Sequence, residues 1–482
     1  MTGQTLIGRE KEIRELTAAA ASPVAEMIAL VGRRRVGKTF LVKSVYAGSL
    51  TFELVGTQGG SVKEQLTGFQ FALTRNLPNH IPNRPIDNWL TAFQELVLAL
   101  EQRVEKTQPI LFFDELPWLA KSDASFLRAL GWFWNAWASQ QSCVVVICGS
   151  AASWMLDNVV NHTGGLHNRI TRLLRLQPFT LAETEAFARS RGIRLNRPQL
   201  LQLQMTIGGI PMYLNQITAG RSAAENIQAI CFRPDGYLFQ EFDRLYHSLF
   251  HRAERHVAIV RALARKRMGM TRDDIAKASQ ISNGGGLTKL LNELAVSGFI
   301  SIYGGYRKKV RQRLYRLTDA YSLFYLTYIE RLGENSYPDF RSLSDLPSYH
   351  AWAGYAFENT MLQHVPQIKG ALGISGVGTT VATFYQRADD DGPGAQIDLL
   401  IDRRDKVINI CEAKYSENAY RVTKSYAADI ERKLSVFTQR TGTKKHLFFT
   451  LLTVAGVQDN EYRLNHVDQV LTIDDYFMPT LN

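Results

Sequence analysis

One stretch limits the possible folds more than any other. An apolar run, Met27-Ile28-Ala29-Leu30-Val31, leads straight into Gly32-Arg33-Arg34-Arg35-Val36-Gly37-Lys38-Thr39, and FLVKSVYAG follows with a helical pattern. The eight residues fit GxxxxGK(S/T), and a buried strand before and a helix after are the setting that this pattern requires. The glycines let backbone N–H groups close around phosphate oxygens, Lys38 supplies a point charge to the outer phosphates, and Thr39 offers a hydroxyl to Mg2+. The candidate nucleotide-binding set is Gly32, Arg33, Arg34, Arg35, Val36, Gly37, Lys38, Thr39 and Phe40, with ATP as the expected ligand and Mg2+ beside it.

A nucleotide hydrolase needs a second, acidic site. Ile110-Leu111-Phe112-Phe113 reads as a buried strand that delivers Asp114 and Glu115 at its end, where open α/β sheets bind ligands. Asp114 is expected to help hold Mg2+ and Glu115 to orient or deprotonate the attacking water. The next apolar strand, Cys143–Cys148, ends in Gly149-Ser150, which makes Ser150 a candidate for sensing the γ-phosphate or placing water. Arg169 is the candidate finger from a neighbouring subunit, with Arg172 and Arg175 as competitors. Trp132, Trp134 and Trp137 fall between the two strands, where core packing is favoured over ligand stacking. Buried strands separated by amphipathic segments predict an α/β fold with a parallel sheet covered on both faces.

The runs GRRRVGKT, FFDELPWL, ICGSAASWM and GGIPMYL together resemble the archaeal-type ATPase family, P-loop proteins related to the AAA+ and STAND ATPases. The opening Leu6-Ile7-Gly8-Arg9-Glu10-Lys11-Glu12-Ile13 is similar to that family's nucleotide-proximal box. The resemblance extends over nearly the whole chain. It implies a nucleotide-binding αβα core, a helical lid and a winged helix. Asn168 departs from the family pattern, which has glycine before the finger arginine.

The chain has 482 residues, about three domains at roughly 150 residues each. With 45% hydrophobic and 21% charged residues, wholesale disorder is excluded. No apolar run approaches the ~20 residues of a membrane span, and the start, MTGQTLIGRE, lacks the pattern of a secretory signal, so no membrane partner is expected. Four scattered cysteines and the lack of a CxxC pair fit a reducing cytoplasm. The net charge of +11 favours a polyanionic partner, and DNA is the expected one. Residues 241–334 hold 17 Lys or Arg against 9 Asp or Glu, so most of that excess lies there.

In that stretch, three short helical patterns precede two strands around Gly304-Gly305, the order of a winged helix-turn-helix. Thr271 is the expected cap of the second helix. Leu287–Val296 takes the recognition position, with Lys289 and Asn292 outward. Tyr306 to Arg316 carries six basic residues and no acid, which suits a wing along a phosphate backbone; a spacer between domains is the other use of such a module. His247, His251 and His256 read as solvated helix residues rather than metal ligands. Residues 333–348 (GENSYPDFRSLSDLPS) read as a linker.

Beyond it, residues 349–366 read as a helix that turns Glu358 toward an apolar face, where a carboxylate needs a partner. A period-2 strand carries Asp398, and the strand after Arg403-Arg404-Asp405 carries Glu412 and Lys414 on one face. A hairpin of the two brings Asp398, Glu412 and Lys414 together. Two carboxylates hold a hard cation and the lysine activates water, a toolkit for phosphodiester hydrolysis. Phe357-Glu358, Asp398, thirteen residues, then Glu412-Ala413-Lys414 resembles the PD-(D/E)xK nuclease superfamily, with Ile397 in place of the usual proline. A surface hairpin with a local Glu–Lys pair is the structural alternative. The whole is expected as a P-loop core (1–178), a helical lid (179–250), a winged helix-turn-helix (251–332), a linker (333–348) and a restriction-endonuclease-like α/β domain (349–482). The expected function is an oligomeric ATPase whose nucleotide state controls Mg2+-dependent DNA cleavage. The rivals are a switch that binds without cutting and a promoter-reading regulator.

Overall fold

The computed structural model of the chain describes residues 5–103, 107–120, 124–161, 166, 168–266, 268–306, 313–332, 338–388 and 392–479. Two compact units divide it, 1–178 and 179–482.

The first unit is built on a five-stranded parallel sheet: β1 (Glu26–Gly32), β2 (Leu50–Val55), β3 (Ile110–Asp114), β4 (Val144–Gly149) and β5 (Arg172–Leu176), in the order β2-β3-β4-β1-β5. The three inner strands are buried almost throughout, so they read as unbroken apolar runs. β2 and β5 lie at the edges and alternate between buried and partly exposed residues. That weaker pattern hides them in the sequence. Helices 62–76, 89–101 and 125–136 supply an aromatic layer in which Phe69, Trp89, Phe93, Phe126 and Phe133 pack with Phe52 and Phe113 of the sheet. Trp134 and Trp137 are buried in this core and Trp132 packs against it, as expected of packing residues.

In the second unit, helices 181–190, 197–207, 223–231 and 241–249 come first, and no strand occurs among the described residues from 179 to 250. Thr180 and Ser222 start two of them with reciprocal capping bonds to Glu183 and Glu225. Helices Ala253–Ala264, Arg272–Ser279 and Gly285–Val296 follow, and then an antiparallel pair, β6 (Ile300–Tyr303) and β7 (Leu314–Leu317). Thr271 caps the second of these helices by accepting from the Asp274 N–H. Helix Pro347–Gln363 leads to a second sheet: β8 (Thr379–Gln386), β9 (Ala395–Arg403), β10 (Val407–Lys414), β11 (His446–Thr453) and β12 (Gln469–Leu471), in the order β12-β11-β10-β9-β8. β8, β9 and β10 are antiparallel neighbours, whereas β10, β11 and β12 are parallel. Helix Lys424–Thr441 makes the crossover from β10 to β11 and buries Ala427, Ile430, Val436 and Phe437 on the sheet. The β6–β7 hairpin reaches this sheet: Gly305 bridges Thr383 of β8, the Tyr306 N–H donates to the Thr383 carbonyl (3.0 Å), and the Tyr306 ring meets Phe437.

Two expectations need correction here. The stretch 333–348 is not a plain linker. Its first five residues lie outside the described set, but 340–344 form a helical turn and Phe340 is buried against Phe232, Phe324 and Tyr349. Phe340, whose N–H also donates to Gln228 Oε1 (2.6 Å), anchors a segment that its prolines and polar residues make look loose. Nor is His256 solvated: it is buried, stacked on Phe250, with Nε2 2.7 Å from a Glu293 carboxylate oxygen. His247 and His251 are exposed, as expected.

Candidate functional site

The loop after β1 closes over the start of helix Lys38–Val45. A side chain at Gly32 would set its Cβ 2.5 Å from the Leu176 carbonyl oxygen of the neighbouring strand, so only glycine passes there. Gly37 holds φ at +92°, a left-handed conformation that leads into the helix. Lys38 is buried and folds back, donating to the carbonyls of Gly32 and Arg33 at 2.9 Å each. Burial lowers its pKa below the usual lysine value, against the opposing pull of the Glu115 and Asp114 carboxylates. Arg33 and Val36 are buried, while Arg34, Arg35 and Phe40 are half-buried. Arg9, from the amino-terminal box, donates to the Val36 carbonyl at 3.4 Å, which ties that box to the loop.

Because β4 lies between β1 and β3, Asp114 approaches Thr39 across one strand. The Thr39 hydroxyl donates to Asp114 Oδ2 at 2.6 Å. Asp114 Oδ1 accepts from the Glu115 N–H (2.9 Å) and from the Cys148 thiol of β4 (2.7 Å). Burial, with the Asp114 carboxylate second, pushes the thiol pKa far up, so it stays protonated and donates. Glu115 takes a left-handed backbone, φ +50°, and its Oε2 accepts from the Ser150 hydroxyl (2.9 Å) and N–H (3.1 Å). Ser150 therefore holds Glu115 in this structure. Thr39 and Asp114 form a hard-oxygen pair, a hydroxyl and a carboxylate, which suits Mg2+, and the cradle that only glycine allows suits a phosphate chain.

Arg169 is exposed, one residue after Asn168 at φ +57°. Asparagine tolerates this left-handed geometry, so it fills the place expected of glycine. Arg172 is engaged within the fold, pairing with Glu15 (2.6 Å) and Glu26 (3.1 Å), and Arg175 is exposed.

The second set of candidates lies around β9 and β10. Their antiparallel register runs through Ile410 with Leu400 and Cys411 with Leu399, so Glu412 and Asp398 are next in line on adjacent strands. Glu358, Asp398, Glu412 and Lys414 line one cleft of about 440 Å³, with His350 and Lys433. Glu358, Glu412 and Lys414 are each answered by an opposite charge, whereas Asp398 meets the amide of Gln396. Glu412 meets Lys414 at 2.7 Å through Oε1 and Lys433 at 2.7 Å through Oε2. Lys433 also reaches Asp429 at 3.1 Å. Glu358 pairs with Arg316 of β7. Burial, then the charges of Glu358 and Glu412, raises the Asp398 carboxyl well above the usual carboxylate range. For Lys414, burial works against the ammonium, but Glu412 keeps its pKa above the usual lysine value. Among the described residues, no group of three or more His, Cys, Asp or Glu is already gathered to hold a metal ion.

Arg316 corrects another expectation. Rather than lying along a wing surface, it is buried, with Nε 3.3 Å from the Tyr355 hydroxyl and the guanidinium 4.5 Å from that ring's centre. Arg313 is exposed, and Arg307, Lys308, Lys309 and Arg311 lie outside the described residues. Lys289 and Asn292 are exposed on helix Gly285–Val296, as expected. Sequence reasoning missed Cys148, Lys433 and Arg316 as site residues. Lys433 carries only an i,i+4 acid as local signal, which is the mark of any solvated helix.

No helix among the described residues is long and apolar enough to cross a membrane. The chain is similar to several known proteins. The uncharacterized protein MJECL04 of Methanocaldococcus jannaschii is 21% identical over 441 residues, 89% of this chain and 91% of that protein. The Walker-type ATPase PABY2304 of Pyrococcus abyssi has a similar structure at a TM-score of 0.45 and 17% identity, covering 67% of this chain and 96% of that one. The ORC2 protein of Aeropyrum pernix gives a TM-score of 0.40 at 14% identity, covering 66% and 91%. Residues 6–217, which contain the loop, Asp114, Glu115 and Ser150, match the family described as an ATPase domain predominantly from Archaea.

Proposed function

We propose that the chain is an ATPase whose nucleotide state controls a Mg2+-dependent DNA nuclease in its carboxy-terminal part. The observation that carries the ATPase half is the direct bond from Thr39 to Asp114, which joins the loop to the acid of β3. Gly32 to Phe40 would hold the phosphates of ATP, with Thr39 and Asp114 on the magnesium. When bound, Mg2+ neutralises phosphate charge. Lys38 binds the outer phosphates, and Glu115, fixed by Ser150, orients water for attack. Arg169, exposed, is the arginine offered to a neighbouring subunit, which makes the working form an oligomer.

The observation that supports the nuclease half is the single cleft lined by Glu358, Asp398, Glu412 and Lys414. Asp398 and Glu412 are the metal-binding pair, Glu358 the third acid, and Lys414 the group beside the water. Helices 253–264, 272–279 and 285–296 with the β6–β7 hairpin are read as the winged helix that brings DNA, through Lys289 and Asn292. The test is plasmid incubated with pure protein, ATP and Mg2+ or Mn2+. The double variant Glu412→Gln, Lys414→Ala should stop cleavage while ATP hydrolysis stays within about twofold of the parent, since no nucleotide-site residue is touched. Undiminished nicking by that variant removes the nuclease reading.

A second reading, an ATP switch that binds DNA or protein without cutting, is favoured by one observation. Glu358 and Glu412 are engaged by three cations, Arg316, Lys414 and Lys433. No cleavage under any metal, together with nucleotide-dependent binding, selects it.

A further inference from the structure

The β6–β7 hairpin does more than lie beside the second sheet. Its Arg316 sits among groups that belong to two other elements. The guanidinium bonds the Tyr355 hydroxyl and the Glu358 carboxylate of helix Pro347–Gln363, while the same side chain lines a narrow crevice with Asp398 and Gln396 of β9. The hairpin that carries it is fastened to β8 at Gly305 and Tyr306. Arg316 is 4% exposed, so water does little to weaken its attraction to the acids. An arginine so placed competes for Glu358 with any cation in the cleft. Lys414 and Lys433 compete for Glu412 from the other side.

We propose that Arg316 is a positioning residue that latches Glu358: its ion pair must open before Glu358 can join Asp398 and Glu412 around a divalent cation. The latch rests on the nuclease reading of the cleft. It adds that the hairpin, not the nucleotide site alone, sets how readily the acids accept metal. A shift of the hairpin that carries Arg316 away exposes Glu358, and a return of the hairpin quenches it.

The experiment is Mn2+ binding to the full chain without nucleotide, followed by calorimetry and by the Mn2+ electron paramagnetic resonance signal. Removing one close opposite charge changes a carboxylate's balance by roughly a factor of ten or more. Arg316→Met should therefore bind Mn2+ about tenfold more tightly than the parent, whereas Arg316→Lys, which keeps the charge, should stay near the parent. Adding Glu358→Gln to Arg316→Met should cancel the gain. Tyr306→Ala, which loosens the hairpin on β8 and leaves Arg316 in place, should move Mn2+ affinity in the same direction, and it serves as the test if Arg316→Met fails to fold. No gain in any foldable variant, or a gain that survives Glu358→Gln, overturns the latch. Failure of the underlying reading looks different: Mn2+ binding then persists unchanged when Asp398→Asn and Glu412→Gln are introduced together.

Discussion

The two acidic sites of this protein hold their carboxylates in opposite ways. Asp114 is surrounded by neutral donors: a threonine hydroxyl, a cysteine thiol and a backbone N–H. These donors orient its charge, and the Lys38 ammonium attracts it. In the carboxy-terminal cleft, Glu358 and Glu412 are cancelled by an arginine and two lysines. Neutral donors fix an acid without competing with a metal, whereas cations fix it by taking the metal's place. On the proposed reading, the first arrangement is preorganised and the second has to open before a metal enters.

Four measurements break or sharpen that contrast. Lys38→Ala removes the single buried ammonium of the loop and should lower ATP turnover by about 1,000-fold, read as phosphate release. Full residual hydrolysis would mean that the loop is not the nucleotide site.

The next effect concerns acid. His364, the residue after the helix that carries Glu358, is buried, donates from Nδ1 to the Thr360 carbonyl (2.7 Å) and accepts the Leu181 N–H at Nε2 (3.0 Å). Burial lowers its pKa from 6.5 to about 4. The unfolded chain takes up that proton first, so the contribution is complete above pH 6.5 and is lost as pH falls toward 4. A two-and-a-half-unit difference amounts to about 3 kcal/mol at its limit. Urea unfolding at pH 7 and pH 4.5 should show the second unit weakening. His364→Gln should flatten the dependence, and an equally steep profile in that variant would assign it to other groups.

The same operation can then be applied to both sites. Lys433→Met takes one of two cations from Glu412 and should cost about 2 kcal/mol of stability, because a buried charge loses half its compensation. Cys148→Ala takes one of three neutral donors from Asp114 and should cost about 1 kcal/mol. If denaturant titrations give equal losses, the distinction between charged and neutral support is wrong.

What the sequence revealed follows the same line. The loop, Asp114 and Glu115 were legible because each lies within a few residues of a buried strand, and the motif states its own setting. The hairpin pairing of Asp398 with Glu412 was legible for the same reason, since period-2 alternation survives without knowledge of the rest. Edge strands β2 and β5 escaped, being exposed on part of their faces. Arg316 and Lys433 escaped because their partners lie 42 and 21 residues away on other elements. A charge run is read as solvated until a fold shows one member turned inward. Phe340 was hidden by prolines and polar neighbours, although it is buried and anchors the described part of the segment.

The seam at Gly305 and Tyr306 bears on how this protein is to be handled. β8 ends its sheet, and an uncovered terminal strand invites other chains to extend it. The hairpin supplies a cover at Thr383, whereas the opposite border is only a three-residue strand. A fragment cut at the polar stretch before residue 349 would lose that cover and present a bare ribbon of amides. Such a piece would self-associate, and any loss of function on trimming would then report clumping rather than a missing group.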